Sequence, residues 1–199
     1  MAWRSSNDCW SVADLRWHHV HMDDLVSQCV EAMADSDSAG SIQDVLRRAV
    51  STSRLAESLP SLEPGLNVLF RDSNLTILNI VWPPNFALFP HDHRMWAALC
   101  IYGGREDNTF FRRQDDGLVR SGGKDLVEGD VQMLGADVIH SVRNPGQSHT
   151  GAIHVYGGDF FAVERSQWDA ETLNEQPYDI NSVNRAFESA EQAFRSDQS

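Results

Sequence analysis

Two histidines one residue apart, in Pro90-His91-Asp92-His93, are the residues of this chain best suited to chemistry. On a β-strand, side chains at i and i+2 share a face, so both imidazoles project one way and Asp92 the other. Such a pair is half of a metal site, because neutral imidazole is a good ligand for Fe, Zn, Cu or Ni. His140, in Ile139-His140-Ser141-Val142, falls on another expected strand behind a glycine-led turn at Gly129-Asp130. In a small barrel the two strands can neighbour each other across the lumen, and three imidazoles then converge on one cation. A third segment, Ala152-Ile153-His154-Val155-Tyr156, puts Ala152, His154 and Tyr156 on one strand face.

These residues need a scaffold, and the pattern around them supplies one. From residue 67 onward short runs rich in β-branched and aromatic residues follow one another: Val68 to Phe70, Leu75 to Trp82, Trp96 to Tyr102, Thr109 to Phe111, Val131 to Leu134, Val138 to Val142 and Ile153 to Tyr156. Between them stand turn signals such as Pro83-Pro84-Asn85, Gly103-Gly104, Gly122-Gly123, Asn144-Pro145-Gly146 and Gly157-Gly158. Many short strands with frequent turns predict an all-β core, an antiparallel sandwich or small barrel. Ahead of it, Leu25, Val26, Cys29, Val30 and Met33 recur at helical spacing. After a Ser/Gly-rich break over 36–40, Ser41 is placed to cap a second helix with the stripe Ile42, Val45, Leu46, Ala49 and Val50. Asp179 stands before a C-terminal stripe of Ile180, Val183, Phe187, Ala190 and Phe194.

The chain of 199 residues carries 16 Lys plus Arg against 29 Asp plus Glu, a net charge of −13. That excess disfavours nucleic acid and anionic membranes as partners. With 41% hydrophobic residues the chain can bury a core, and no run approaches a membrane span. Three cysteines, Cys9, Cys29 and Cys100, at wide spacing suit a reducing, cytoplasmic setting with free thiols. Residues 1–21 hold Trp3, Trp10, Trp17 and a His18-His19-x-His21 cluster without any period, and read as a disordered extension. A single domain over 22–199 is expected, helical over 22–60, β-barrel over 66–165 and helical again over 179–195.

The joined motifs resemble those of the cupin superfamily, in which H-x-H opens one motif and a glycine eleven residues before a histidine, with an asparagine four residues after it, closes the second. Gly129, His140 and Asn144 match the second pattern, although Gly135 and Asp137 replace its usual proline and inner glycine. The resemblance implies a double-stranded β-helix, or jelly-roll barrel, with a metal on His91, His93 and His140. The glutamate that many cupins carry shortly after the second histidine is replaced here by Ala97 and Ala98. A three-histidine site without a carboxylate is similar to that of the thiol dioxygenases, cysteine dioxygenase and 3-mercaptopropionate dioxygenase. Ala152-x-His154-x-Tyr156 resembles their Ser-x-His-x-Tyr segment, with alanine at the serine position, and the resemblance spans about 69–161.

What the resemblance implies is Fe(II) as cofactor, a small thiol and O2 as reactants, and His154 with Tyr156 as catalytic groups beside the metal. Oxidation of a thiol to a sulfinic acid releases four electrons, which is what O2 takes up, so no further reductant is needed. The chain offers no cysteine near Tyr156 for the cross-link known in cysteine dioxygenase, which favours the mercaptopropionate-type branch. Arg71 is the candidate for the substrate carboxylate, its alternative being a surface turn arginine; Trp96 and Met133 are candidates for the pocket lining. Two rivals stand beside this reading: a cupin of other metal chemistry, such as an isomerase or a carbon-cleaving dioxygenase, and a non-catalytic cupin that binds a ligand or metal.

Overall fold

The computed structural model describes residues 24–51, 55, 63–115 and 117–198. The expected extension over 1–21 and most of the helical region beyond Ser51 lie outside the described residues. Within them the chain forms the strands β1 (Gly65–Arg71), β2 (Thr76–Trp82), β3 (Ala87–Asp92), β4 (Ala97–Gly103), β5 (Arg105–Gln114), β6 (Gly117–Val127), β7 (Val131–Leu134), β8 (Ile139–Arg143), β9 (Thr150–Tyr156), β10 (Ser166–Trp168) and β11 (Glu175–Pro177). They pair into two sheets, ordered β1-β2-β9-β4-β7 and β11-β10-β3-β8-β5-β6. From β2 to β10 the chain crosses between the sheets at nearly every step, only β5 and β6 remaining together as a hairpin. That winding is the double-stranded β-helix, a jelly-roll barrel with antiparallel neighbours.

The central strands β2, β4 and β9 are buried along almost their whole length and mostly apolar, because both of their faces are covered. Leu78, Ile80, Trp82, Leu99, Ile101 and Tyr156 point into the barrel. Ile77, Ala98, Cys100, Ile153 and Val155 point outward, under Leu25 and Cys29 of α1 (24–32) and Ile42, Val45 and Leu46 of α2 (Ser38–Ser51). Burial pushes the thiols of Cys29 and Cys100 up to about 12, so neither is a reactive group at neutral pH. At another side of the barrel, α3 (Ile180–Asp197) inserts Val183 and Phe187. The Phe187 ring stacks on Trp82 at 5.3 Å and on Phe86 at 4.5 Å.

The local signals hold where a specific group enforces them. Asp179 caps α3 by accepting the Asn181 N–H at 3.0 Å. Gly129 takes φ +96° in the turn that leads to β7, a conformation that favours glycine. The Asn144 side-chain amide donates to the carbonyls of Trp82, Pro83 and Ser148 while its oxygen accepts the Gly146 N–H, so this one residue ties the end of β8 to the end of β2.

Two expectations are corrected. The second helix starts at Ser38, because the Asp37 carboxylate accepts the Gly40 N–H at 3.0 Å and so takes the capping role, while the Ser41 hydroxyl is turned to Asp35 at 2.6 Å. The long strand β6 has no counterpart in the sequence pattern, since it is exposed over most of its length and contains Gly122-Gly123; it forms by pairing with β5 along ten residues. No helix among the described residues is long and apolar enough to cross a membrane.

Truncating Leu46, which is fully buried between α2 and the sheet, tests this layer. Leu46→Ala should cost about 2 to 5 kcal/mol in urea denaturation. Its divalent-metal binding should stay as in wild type, because the side chain lies on the face of the sheet opposite the barrel interior.

Candidate metal centre

The two sheets bring the three motif histidines together. His91 on β3 pairs directly with His140 on β8 across the antiparallel ladder, and His93 follows immediately after β3. One ring nitrogen from each of the three lies within 4.8 Å of the others, and all three residues are buried. The Nε2 atom of His93 stands 3.2 Å from Nε2 of His91 and 3.2 Å from Nε2 of His140. Two nitrogens bound to one cation at about 2.1 Å stand roughly 3.0 to 3.4 Å apart, so these spacings suit a shared ion.

The far sides of the rings decide which nitrogen is bare. His91 directs Nδ1 to the Phe89 carbonyl at 3.1 Å, and His140 directs Nδ1 to Asn108 Oδ1 at 2.6 Å. Both acceptors require a proton on Nδ1, which leaves Nε2 as a lone pair aimed into the cluster. His93 Nδ1 is a buried nitrogen without a hydrogen-bond partner. Burial, followed by the mutual repulsion of the imidazoles, holds His91 and His93 well below the ordinary value of 6.5. Burial likewise lowers His140 to about 4, against the opposing pull of Glu106. All three rings are therefore neutral at neutral pH, the form that ligates metals; His91 and His140 both turn a bare Nε2 toward His93 Nε2, whose single proton can serve only one of them, whereas one cation would serve all three nitrogens.

Around the cluster lies a narrow cavity, walled by Leu88, Trp82, Val142 and Phe160 and by the polar ends of His154, Tyr156 and Tyr178. His154 and Tyr156 are inward residues of β9, and the Tyr156 ring lies 5.0 Å from that of His93. His154 Nδ1 meets the Tyr156 hydroxyl at 3.2 Å, and His154 Nε2 meets Glu106 Oε2 at 3.2 Å. Burial raises the Tyr156 phenol above its ordinary value, so it is a neutral hydroxyl. The motif strand thus places both catalytic candidates beside the histidine cluster.

The other three expected contacts are placed elsewhere. Arg71, at the end of edge strand β1, makes a two-pronged ion pair with Asp159 at 2.9 and 3.0 Å and lies over the Phe161 ring, half exposed at the surface. Met133 pairs with Ala98 and, like Trp96, packs in the layer under the helices, because both share the outward parity of β4.

Three residues that sequence reasoning passed over instead support the residues that line the site. Arg165 is 7% exposed, stacked 3.9 Å from the Phe160 ring centroid and 3.6 Å from that of Tyr178, and donates to the Asp92 carbonyl at 3.4 Å. Glu106 and Asn108 are inward residues of β5, fully or nearly fully buried. Their alternation on a strand, two polar groups at i and i+2, was the available signal; Arg165, in a loop, carried none. Asp92, between the ligand histidines, accepts the Ser166 N–H at 2.8 Å and pairs with Arg94 at 2.7 Å, which fixes the segment bearing Arg165.

Fold and site together define a double-stranded β-helix protein with a buried three-histidine cluster suited to a metal ion. No family model matches the chain. Among solved structures it is similar to an RmlC-like cupin family protein with a double-stranded β-helix fold from Methanocaldococcus jannaschii, at 16% identity over 51% of this chain and 86% of that one, TM-score 0.42. An uncharacterised protein with a double-stranded β-helix domain from Klebsiella pneumoniae matches at 16% identity over 51% of this chain and 78% of its own, TM-score 0.41. Oxalate decarboxylase from Bacillus subtilis matches at 17% identity over 45% of this chain and 22% of that one, TM-score 0.37.

The lowered imidazoles make stability pH-dependent with a defined sign. The unfolded chain binds protons near 6.5 while folded His140 does so only near 4, so stability is intact above about pH 6.5 and is lost as pH falls through about 4. His140 alone accounts for about 3 kcal/mol of that loss. The urea midpoint of metal-free protein should fall across this window, and His140→Gln should flatten the fall.

Proposed function

We propose that the protein is an iron-dependent thiol dioxygenase that oxidises a small carboxylate-bearing thiol, of the 3-mercaptopropionate or cysteine kind, to its sulfinic acid with O2. The observation that carries this reading is the donor set: three buried neutral imidazoles without a carboxylate among them, beside the His154 and Tyr156 pair. Three neutral ligands leave a divalent ion its full charge and open positions for an anionic sulfur. Bound Fe(II) supplies Lewis acidity, which draws a thiol below its ordinary value of about 8.5, and the redox chemistry that O2 requires. The overall change, RSH + O2 → RSO2H, balances as written: sulfur gives up four electrons, O2 takes four, and both oxygen atoms end on sulfur.

The chain's own residues then divide the work. Arg165 is a buried cation with no ion pair among the described residues, held flat between two cavity-lining rings, and it is the group to bind a substrate carboxylate. Burial lowers its pKa from the ordinary guanidinium value, yet Tyr178, Tyr156 and Asp92 work against that and it stays charged. Tyr156 presents its oxygen to the cavity with its hydroxyl held by His154 Nδ1. Leu88, Trp82, Val142 and Phe160 exclude water, which strengthens every polar contact inside. The substrate partners are thus a small thiol and O2, with neither nucleic acid nor membrane. A cytoplasmic location belongs to the same proposal, because buried free cysteines suit a reducing compartment.

Oxygen uptake by anaerobically iron-loaded protein, over a panel of 3-mercaptopropionate, cysteine, cysteamine and thiol-bearing peptides, tests the reaction. One O2 consumed per sulfinate formed is expected with the carboxylate thiols. A fully iron-loaded protein that consumes none overturns the reading, and Mn, Ni or Zn at full occupancy after unsupplemented growth points to other cupin chemistry. Arg165→Leu should raise KM for carboxylate thiols by roughly 10- to 100-fold, the loss of one charge-assisted contact, and leave that for cysteamine within a few-fold.

A further inference from the structure

The serine that the Ser-x-His-x-Tyr segment would carry is Ala152 here, yet His154 is not left unanchored. Its Nε2 lies 3.2 Å from Glu106 Oε2, a carboxylate that reaches across the barrel from β5 to β9. The same oxygen accepts the indole N–H of Trp82 at 2.7 Å, and the other oxygen, Oε1, accepts Asn108 Nδ2 at 3.0 Å. Glu106 is 0% exposed, so these three N–H groups are all that satisfies its charge.

A carboxylate only accepts, and the consequences run in two directions. Asn108 must turn its NH2 to Glu106, so its Oδ1 faces His140, so His140 carries its proton on Nδ1 and keeps Nε2 bare toward His93. On the other branch His154 must donate through Nε2, so its Nδ1 is an acceptor and takes the Tyr156 O–H, leaving the phenol oxygen's lone pairs for the cavity. One negative group thereby dictates proton positions on both sides of the site.

We propose that Glu106 is a positioning residue that sets the tautomers of His140, through Asn108, and of His154 directly, and so takes over the anchoring that a hydroxyl at Ala152 would provide. The inference rests on the three-histidine metal reading but not on the identity of the substrate. Glutamine at this position keeps the shape and loses an acceptor. With its oxygen toward Trp82 and His154, its NH2 confronts the Asn108 amide; Asn108 turns over, and His140 must move its proton to Nε2, into the cluster. With the amide reversed, Trp82 loses its acceptor and His154 changes tautomer. Adding Asn108→Asp to the first arrangement removes the conflict: the introduced glutamine donates to the introduced aspartate, that aspartate accepts from His140 Nδ1, and the net charge is that of wild type.

The test compares wild type, Glu106→Gln and the double variant Glu106→Gln/Asn108→Asp. Long-range 1H–15N spectra of the metal-free proteins read which nitrogen of each histidine carries the proton, and Co(II) titration reads ligation without thiol or O2. Expected are Nδ1–H on His140 and Nε2–H on His154 in wild type, a changed tautomer at one of them in Glu106→Gln with about 10- to 100-fold weaker Co(II) binding, and return of both properties in the double variant. Unchanged tautomers and affinity in Glu106→Gln overturn the proposal, as does a double variant that restores neither or fails to fold. Should Glu106→Gln alone fail to fold, the double variant decides. Wild-type protein that binds no Co(II) refutes the metal reading instead, and the tautomer comparison then stands as the test of Glu106.

Discussion

The structure depends on holding three neutral imidazoles with their ring nitrogens facing one another in a dry interior. His93 Nε2 lies 3.2 Å from Nε2 of both His91 and His140 and can give its one proton to only one of them at a time, and each ring has been taken out of water. Something must force that geometry, and two features do. The antiparallel pairing of His91 with His140 makes their approach a property of backbone hydrogen bonds rather than of side-chain choice. The acceptors on the opposite edges, the Phe89 carbonyl and Asn108 Oδ1, lock the rings in one orientation. The covered central strands are what make such a rigid frame available, since a barrel with helices on one face and α3 against another has little freedom to relax.

The rest of the interior reads as accommodation of that constraint. A buried charge needs partners, and the two that stand behind the cavity's lining residues find them in opposite ways: Glu106 collects three N–H donors, while Arg165 lies between the faces of two aromatic rings. The difference matters chemically. Glu106 has its hydrogen-bonding capacity taken up by the frame, so it can orient but is not offered to a ligand. Arg165 has its faces covered while most of its N–H edge makes no ion pair among the described residues, so it retains capacity to bind an anion.

Much of this was legible in the sequence, and the limits have physical causes. Spacing alone placed His91, His93, His154 and Tyr156 by parity, because a strand's period of two leaves no choice about which residues share a face. Parity does not say which face is inside when both are apolar, and β4 is such a strand: Trp96 and Met133 follow the outward parity of Ala98 and Cys100, toward the helices. Arg71 sits on an edge strand where the nearest acid, Asp159, claims it. Glu106 lies thirteen residues beyond His93 along the chain, and only the register that sets Asn108 against Val142 and Phe110 against His140 brings its strand beside the site. β6 buries only Leu118 and Leu126, too sparse a pattern among exposed polar residues and glycines to read as a strand, and exists by pairing.

A net charge of −13 looked, on composition, like an obstacle to any anionic ligand. The distribution of charge removes it. The acidic residues are mostly at the surface, where screening limits their reach to about 8 to 10 Å at physiological salt. Asp92, between His91 and His93 in sequence, is matched by Arg94 and Arg113 and by the Ser166 N–H. Inside, Glu106 is offset by its donors, and Arg165 by two aromatic rings and the Asp92 carbonyl rather than by an ion pair among the described residues. A buried charge acts through a far lower dielectric than a surface one, so a single guanidinium stacked on two rings that line the narrow cavity can outweigh many distant carboxylates there. On the proposed function, an anion would be drawn to the interior by this one cation and the bound metal although the molecule as a whole repels it, and the narrowness of the cavity would confine that attraction to a small molecule.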